Sequence, residues 1–217
     1  MKTIFFLITT VMITTSLFAQ KISIGGEIGA ISSINTDYKV SDFENRRNTY
    51  YAGLNLNYNY TEKITFSTGL HYLQQGYKHK TCYLFEEGVK NELVGKLDYI
   101  LLPVSVSFNL GRLNRLITTI GIYGGINVNA RQDYPKPIGG CKVYYPKDIS
   151  SSTSKFIFGG FIGVGFKIYE SEKIVLKPML KYYQGLSNSM SNNHSYDIEW
   201  KDKYSSLLVT FTLDYKL

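Results

Sequence analysis

The feature of this sequence that most constrains its fold is a strict two-residue alternation of apolar and polar side chains. The chain ends in LLVTFTLDYKL, where Val209, Phe211, Leu213, Tyr215 and Leu217 alternate with two threonines, an aspartate and a lysine. A period of two is typical of a β-strand with one apolar and one polar face. The alternation reaches the last residue, although free chain ends usually fray. The terminal strand is therefore predicted to be paired along its whole length.

Seven earlier segments repeat the same alternation. Their apolar positions begin near Ile22, Tyr50, Ile64, Leu102, Leu116, Phe156 and Ile174. In the fourth segment the apolar residues change phase, because Leu97, Tyr99 and Leu101 precede Pro103 on the other face. Such a phase change predicts a bulge or bend in that strand. The chain is thus predicted to be all-β, with eight strands.

The connections between these segments alternate in length. Those after the second, fourth and sixth segments have only a few residues and are typical of tight hairpin turns. The other four are long and polar, at about residues 32–48, 83–93, 131–154 and 187–203. This arrangement predicts an up-and-down antiparallel meander, with the short turns at one end and the long loops at the other.

Two closed barrels fit eight alternating strands, and the polar face distinguishes them. A soluble lipocalin-like barrel turns its polar face to water, whereas an outer-membrane barrel turns its apolar face to lipid. Here the polar face is small and neutral, as in Asn55, Asn57 and Asn59 of the second segment. The apolar face carries no charged residue, and a charged side chain on it near the bilayer midplane would cost ~2–4 kcal/mol. An eight-stranded antiparallel transmembrane β-barrel with short periplasmic turns and long extracellular loops is predicted.

The first twenty residues, MKTIFFLITTVMITTSLFAQ, have the pattern of a secretory signal peptide, with Lys2 ahead of an apolar stretch. The stretch is short and diluted by threonines compared with the ~20 apolar residues of a spanning helix. We therefore expect a signal peptide at 1–19 and an outer-membrane β-barrel domain at 20–217. The net charge is +7, but the lysines are scattered without a basic run, so outer-membrane lipid is the expected partner and nucleic acid is not.

Three segments carry a resemblance to a known family. The strand LDYILLPVSVSFNLG at 97–111, the final VTFTLDYKL and the leader ending in Ala-Gln resemble the PorT-like family of small bacterial outer-membrane β-barrels. The resemblance implies the same architecture, and some relatives serve a protein-secretion system. The last strand also resembles the signal that the outer-membrane assembly machinery recognises, with Leu217 in place of the usual phenylalanine.

A few charged residues fall on the face predicted to point inward. They are Glu27, Lys167, Lys177, Lys181 and Asp214. Buried charges must pair, so a structural network of the two carboxylates with the lysines is predicted, and a proton or ion path is the alternative. Eight strands enclose a space that side chains fill. The bulky inward candidates are Tyr51, Tyr123, Phe161 and Tyr183.

The chain has two cysteines, Cys82 and Cys141, and both fall on the long-loop side. Disulfides persist in exported proteins, so a Cys82–Cys141 bond is predicted, with two free thiols as the alternative. No histidine or further cysteine lies at metal-ligand spacing, and neither a metal nor a cofactor is expected.

These features predict a non-enzymatic barrel whose extracellular loops bind a protein or glycan partner or support a secretion or assembly complex. One alternative is a lipid-modifying enzyme that uses His194 with the serines at 187, 189, 191 and 195. A small passive channel is the third possibility.

Overall fold

The computed structural model describes residues 21–35, 44–80, 92–111, 114–133, 148–189 and 203–217. Eight long strands form the wall: β1 (Ile22–Asn35), β2 (Arg47–Asn59), β3 (Ile64–Lys80), β4 (Glu92–Leu110), β5 (Leu116–Asp133), β6 (Phe156–Phe166), β7 (Ile174–Gly185) and β8 (Tyr204–Lys216). Two-residue strands at Glu44–Asn45 and Tyr169–Glu170 pair with β3 and β7, and Ser150–Ser152 form a 3-10 helix. Within these ranges we find no helix that is long and apolar enough to span a membrane. The predicted signal peptide lies outside them.

The wall closes between the first and last strands. Each strand is antiparallel to its neighbours, and β8 pairs with β1 from Ser23–Lys216 to Asn35–Tyr204. The backbone N–H of Leu217 still donates to the carbonyl of Ile22, at 3.0 Å. In the part of the chain that the structure describes, closure gives each of the eight wall strands a neighbour on both sides, as the bilayer core requires. The predicted eight-stranded up-and-down barrel is confirmed, and the alternation reaches the last residue because that strand forms the closing seam.

The two faces of the strands point as predicted. The apolar face is outside, where Ile28, Ile122 and Phe156 are 66%, 67% and 69% exposed. The opposite face points inward, and Tyr51 and Tyr183 are each only 1% exposed. A lipocalin-like barrel has the reverse arrangement, so the exposed apolar belt is the lipid-facing surface. Tyr50 and Tyr72 stack on this surface near the long-loop end, with ring centroids 5.6 Å apart.

One irregularity interrupts the pairing of β4 with β5. Asp98 lies opposite Asn129, but the next residue, Tyr99, lies opposite Asn127. The extra residue, Val128, therefore belongs to β5. The sequence pattern predicts a bulge or bend in β4 before Pro103; an irregularity does occur there, at Asp98 and Tyr99, but its extra residue is on the partner strand.

The burial of β4 explains the misplaced prediction. Leu97, Tyr99 and Leu101 are at most 1% exposed and share the inward face with Pro103, so β4 keeps one phase throughout. These residues are apolar because they belong to a buried apolar cluster in the outer half of the barrel. The phase change occurs instead on β5, where Tyr123 is inward before the bulge and Ala130 after it.

Three neighbouring strands are much longer than a membrane crossing requires. β3, β4 and β5 have 17, 19 and 18 residues, against the ~9–11 that cross a bilayer. β3 continues for eight residues beyond Tyr72, which is about 26 Å along the strand. We call the extension formed by 74–80, 92–98 and 129–133 the outer ledge. It stands on the long-loop side of the barrel.

Candidate functional site

The middle of the barrel interior is filled by four aromatic rings. Phe161 stacks on Tyr183 with centroids 4.6 Å apart and an interplanar angle of 7°. Tyr123 lies 5.2 Å from Tyr183, and Tyr51 lies 6.4 Å from it in an edge-on arrangement. All four are buried, as predicted for these inward residues. This cluster, which we call the aromatic plug, separates the two mouths of the barrel.

Glycines on the neighbouring strands make room for the plug. Gly159 is paired with Tyr123, Gly121 with Phe161, and a Cβ on either glycine would collide with the ring. Gly53 is likewise paired with His71, and a Cβ on Gly53 would collide with the imidazole ring, which contacts Tyr51. The sequence does show glycines at inward positions. Which ring each glycine faces becomes clear only when the register of the strands is known.

A hydrogen-bonded chain joins the plug to a buried ion pair. Lys181 Nζ donates to Glu27 Oε1 at 2.5 Å, and Asn55 Nδ2 donates to the other carboxylate oxygen at 3.2 Å. The remaining amide oxygen of Asn55 lies 2.8 Å from His71 Nε2. His71 must therefore donate from Nε2 and accept the Tyr51 hydroxyl at Nδ1. Glu27 is 1% exposed, and its charge is matched inside the barrel.

The other three interior candidates divide into two places. Lys177 pairs with Asp214, which also accepts from Asn57 Nδ2 at 3.1 Å. Lys167 stands apart from both interior carboxylates, and its Nζ lies 3.1 Å from Glu170 Oε2 in the third short turn. The structure thus brings four of the five residues into two interior pairs and leaves Lys167 at the periplasmic turn.

Glu170 forms a small cluster at that turn. It accepts from Lys167 and, at 3.0 Å, from Lys216 at the end of β8. Partial burial alone would raise the pKa of the Glu170 carboxyl. The hydrogen bonds and charges of Lys216 and Lys167 outweigh that effect and hold its pKa below the ordinary value. The cluster ties the last strand to the turn between β6 and β7.

The periplasmic half of the interior holds a cavity of about 540 Å³. Its lining includes Ser23, Ser67 and Ser107, whose side chains are too short to meet across the barrel. The expectation that side chains fill the interior is therefore met around the plug and wrong for this half. The cavity ends at the floor formed by Lys177 and Asp214 and faces the short turns.

The outer half of the interior holds a buried apolar cluster beside buried polar side chains such as Ser33 and Gln75. Ile31, Leu73 and Leu208 are at most 1% exposed there, together with Leu97 and Leu101. The segment 148–155, which we call the outer strap, turns Ile149 into this cluster, and the N–H of Ile149 donates to the carbonyl of Ala130 at 3.1 Å. The sequence did not predict this strap.

A buried arginine holds the base of the outer ledge. Arg47 Nη1 donates to the carbonyls of Gln75 at 2.6 Å and Gly95 at 3.0 Å, and Nη2 donates to Gln74 Oε1 at 3.0 Å. One side chain of β2 thus spans β3 and reaches β4. Gly76 permits the crossing, because a Cβ there would collide with the guanidinium and with the Gly95 carbonyl.

The residues of the enzymatic alternative are only partly described. Ser187 Oγ accepts from the backbone N–H of Phe158 at 2.9 Å, and Ser189 is buried. His194, Ser191 and Ser195 lie outside the described residues, as do Cys82 and Cys141 and hence the predicted disulfide. In the described ranges no group of three His, Cys, Asp or Glu residues is arranged to hold a metal ion.

The five positions of the C-terminal strand share one orientation. Val209, Phe211, Leu213, Tyr215 and Leu217 are 47% to 53% exposed and lie on the lipid-facing surface. Their backbones belong to the closing strand and its end.

The comparisons with known proteins found one family model and several solved structures. A family model described as "Outer membrane protein beta-barrel domain" matches residues 18–191. Among solved structures, Neisserial surface protein A is 12% identical, covering 91% of this chain and 97% of its own, with a TM-score of 0.48. Ail, the attachment invasion locus protein of Yersinia pestis, solved with the heparin analogue sucrose octasulfate, is 13% identical, covering 89% and 99%, with a TM-score of 0.44. The outer membrane protein AlkL is 13% identical, covering 91% and 92%, with a TM-score of 0.45.

No curated protein matches the sequence. The narrower PorT-like resemblance stays a prediction, because the matching family model is broader. The matched residues cover most of the chain, and the structure is a closed eight-stranded barrel with an apolar outer surface. The chain belongs to the outer membrane protein β-barrel domain family and is a protein of the bacterial outer membrane.

Proposed function

We propose that this protein is a non-enzymatic barrel that binds a protein or glycan partner through its extracellular side. The observation that carries the proposal is the aromatic plug, because a filled interior favours the mouths of the barrel over its lumen as working surfaces. Phe161 stacked on Tyr183 occupies the centre of the cross-section. Eight strands also enclose too little space for an open pore when bulky side chains point inward.

The outer ledge supports a role in binding. Its base is held by Arg47, and Asp98 accepts from Gln74 at 2.7 Å and from Asn129 at 2.8 Å, linking all three ledge strands. Lys96 and Asp133 form a further pair at 2.5 Å. A rigid support lowers the entropy lost when a partner binds at this side of the barrel.

A place in a secretion or assembly complex is a narrower form of the same proposal. It rests on the PorT-like resemblance of the strand at 97–111 and the C-terminal strand. The lipid-facing alternation from Val209 to Leu217 also supports recognition by the outer-membrane assembly machinery during insertion. Both roles imply protein partners: the secretion or assembly complex would be a lasting partner, and the assembly machinery a transient one.

The test is affinity purification from solubilised outer membranes. In one variant a short Gly-Ser linker replaces residues 81–91, the connection between β3 and β4. In the matched control, Gly-Ser replaces Thr61, Glu62 and Lys63 of the first short turn. We expect a partner to co-purify with the unaltered protein and the turn variant, and to be lost with the loop variant.

Two outcomes would contradict the proposal. Retention of the same partner by this loop variant and by matching Gly-Ser variants of the other three long connections would show that the outer loops do not bind it. An altered lipid profile in a deletion strain, restored by the unaltered protein but not by His194→Ala, would instead favour the lipid-modifying enzyme.

A further inference from the structure

The cavity in the periplasmic half is a separate candidate site from the extracellular side. The aromatic plug lies between it and the outer mouth, and its volume of about 540 Å³ is that of a small-molecule site. The short turns surround its opening. Because those turns face the periplasm, a ligand would enter from that compartment.

One wall of the cavity is neutral and rich in hydrogen-bonding groups. It carries Asn57, Asn59, Thr65, Ser67, Ser107 and Asn109. Side-chain amides and hydroxyls offer donors and acceptors together, without net charge. This wall suits a ligand that is itself covered in hydroxyls and amides.

The facing wall is charged, with a surplus of lysine. Lys167, Lys177 and Lys216 line it, together with the carboxylates of Asp214 and Glu170. The ion pairs of Asp214 with Lys177, and of Glu170 with the other two lysines, hold these ammonium groups at the cavity wall. Lys21 and Glu62 also line the cavity, so four cations against three anions leave one positive charge for a ligand.

We propose that this cavity binds an N-acetylated sugar bearing a carboxylate, the chemistry of the periplasmic cell-wall glycan. Its acetamido and hydroxyl groups can form hydrogen bonds with the neutral wall, and its carboxylate can form an ion pair with the lysines. A peptide fits less well, because peptide-binding sites use an open sheet edge, an apolar groove or an arginine cluster. The closed wall and this lining provide none of these among the residues described.

The test uses the mature protein in phospholipid nanodiscs and isothermal titration calorimetry. The probes are the disaccharide of N-acetylglucosamine and N-acetylmuramic acid and its neutral counterpart, N,N'-diacetylchitobiose. We expect saturable binding of the first and about tenfold weaker binding of the second. No saturable binding of either probe, or equal binding of both, would overturn the proposal.

Two variants locate the site. Ser67→Phe fills the cavity and should abolish binding, whereas Leu70→Phe on the same strand adds bulk on the lipid side and should not. The double variant Lys177→Gln with Asp214→Asn removes the floor pair without leaving an unpaired charge. Because it leaves the surplus positive charge in place, this variant should change the binding of both sugars alike. Lys167→Gln removes the surplus while Lys216 still pairs with Glu170, and should weaken binding of the carboxylated sugar by about tenfold and change binding of the neutral sugar little. Each variant must first show the gel mobility of a folded barrel, and a folded Ser67→Phe that still binds would contradict the cavity as the site.

Discussion

Glu27 and Lys181 are paired at 2.5 Å inside the barrel although 154 positions separate them in the sequence. Glu27 is on β1 and Lys181 is on β7, and the closing strand β8 lies between these two strands. The pair therefore forms a side-chain bridge behind the seam where the ends of the chain meet. Its neighbours Asn55 and His71 connect this bridge to the aromatic plug.

Breaking this pair from one side should destabilise the barrel. Lys181→Met leaves Glu27 charged, buried and without its cation, a change that typically costs about 3–5 kcal/mol. The double variant Glu27→Gln with Lys181→Met removes both charges and should cost less. Urea unfolding in lipid vesicles measures both free energies. Equal losses in the single and double variants would mean that the pair contributes little.

The plug should prevent conduction. The unaltered protein in planar bilayers should show no large, stable conductance steps, because Phe161 and Tyr183 fill the centre of the interior. The double variant Phe161→Ala with Tyr183→Ala should produce measurable steps. Lipid-facing Phe158→Ala on the same strand is the control and should stay silent. Porin-like steps from the unaltered protein would show that the interior opens in the membrane.

Closure of the wall should be visible on a denaturing gel. Unboiled protein in detergent should migrate differently from boiled protein, because the pairing of β8 with β1 closes the hydrogen-bonded wall and a closed wall resists unfolding. Truncation of the last four residues should reduce the folded fraction, since Leu217 and Lys216 still bond to neighbouring segments. Identical migration before and after boiling would argue against a closed barrel.

Arg47 should be needed for the rigidity of the ledge but not for the barrel. Arg47→Met leaves the carbonyls of Gln75 and Gly95 without this donor, at about 1–3 kcal/mol for buried unsatisfied groups. Hydrogen exchange should rise in 92–98 and remain unchanged in β8. Arg46→Met, a substitution of the exposed neighbouring arginine, provides the control. Unchanged exchange in 92–98 would show that the strands hold the ledge without the arginine.

The predicted bond between Cys82 and Cys141 should affect a loop and leave the wall intact. The bond closes about 60 residues, for which the chain-entropy model gives about 4 kcal/mol. Cys82→Ser should keep the folded gel mobility while making residues 131–154 more sensitive to protease. Mass spectrometry of unreduced peptides checks the bond directly, and two free thiols in protein isolated without reductant would refute it.

The sequence by itself determined the wall of this barrel. Alternation with a period of two is local information, because successive side chains of a strand point to opposite faces whatever lies beside it. It was enough to assign the outward positions of β8, from Val209 to Leu217, and the inward rings of the plug. Uncharged apolar faces and alternating connection lengths then required closure in lipid, because an open edge is not tolerated there.

Only the tertiary structure decided how the interior is occupied. Which lysine meets which carboxylate depends on strand register and on side-chain reach across the barrel. Lys167 therefore meets Glu170, while Lys181 meets Glu27. The same holds for the bulge at Val128, because an extra residue is defined only relative to the partner strand. The periplasmic cavity arises because short serines from three strands face a common space, which no local pattern along one strand can reveal.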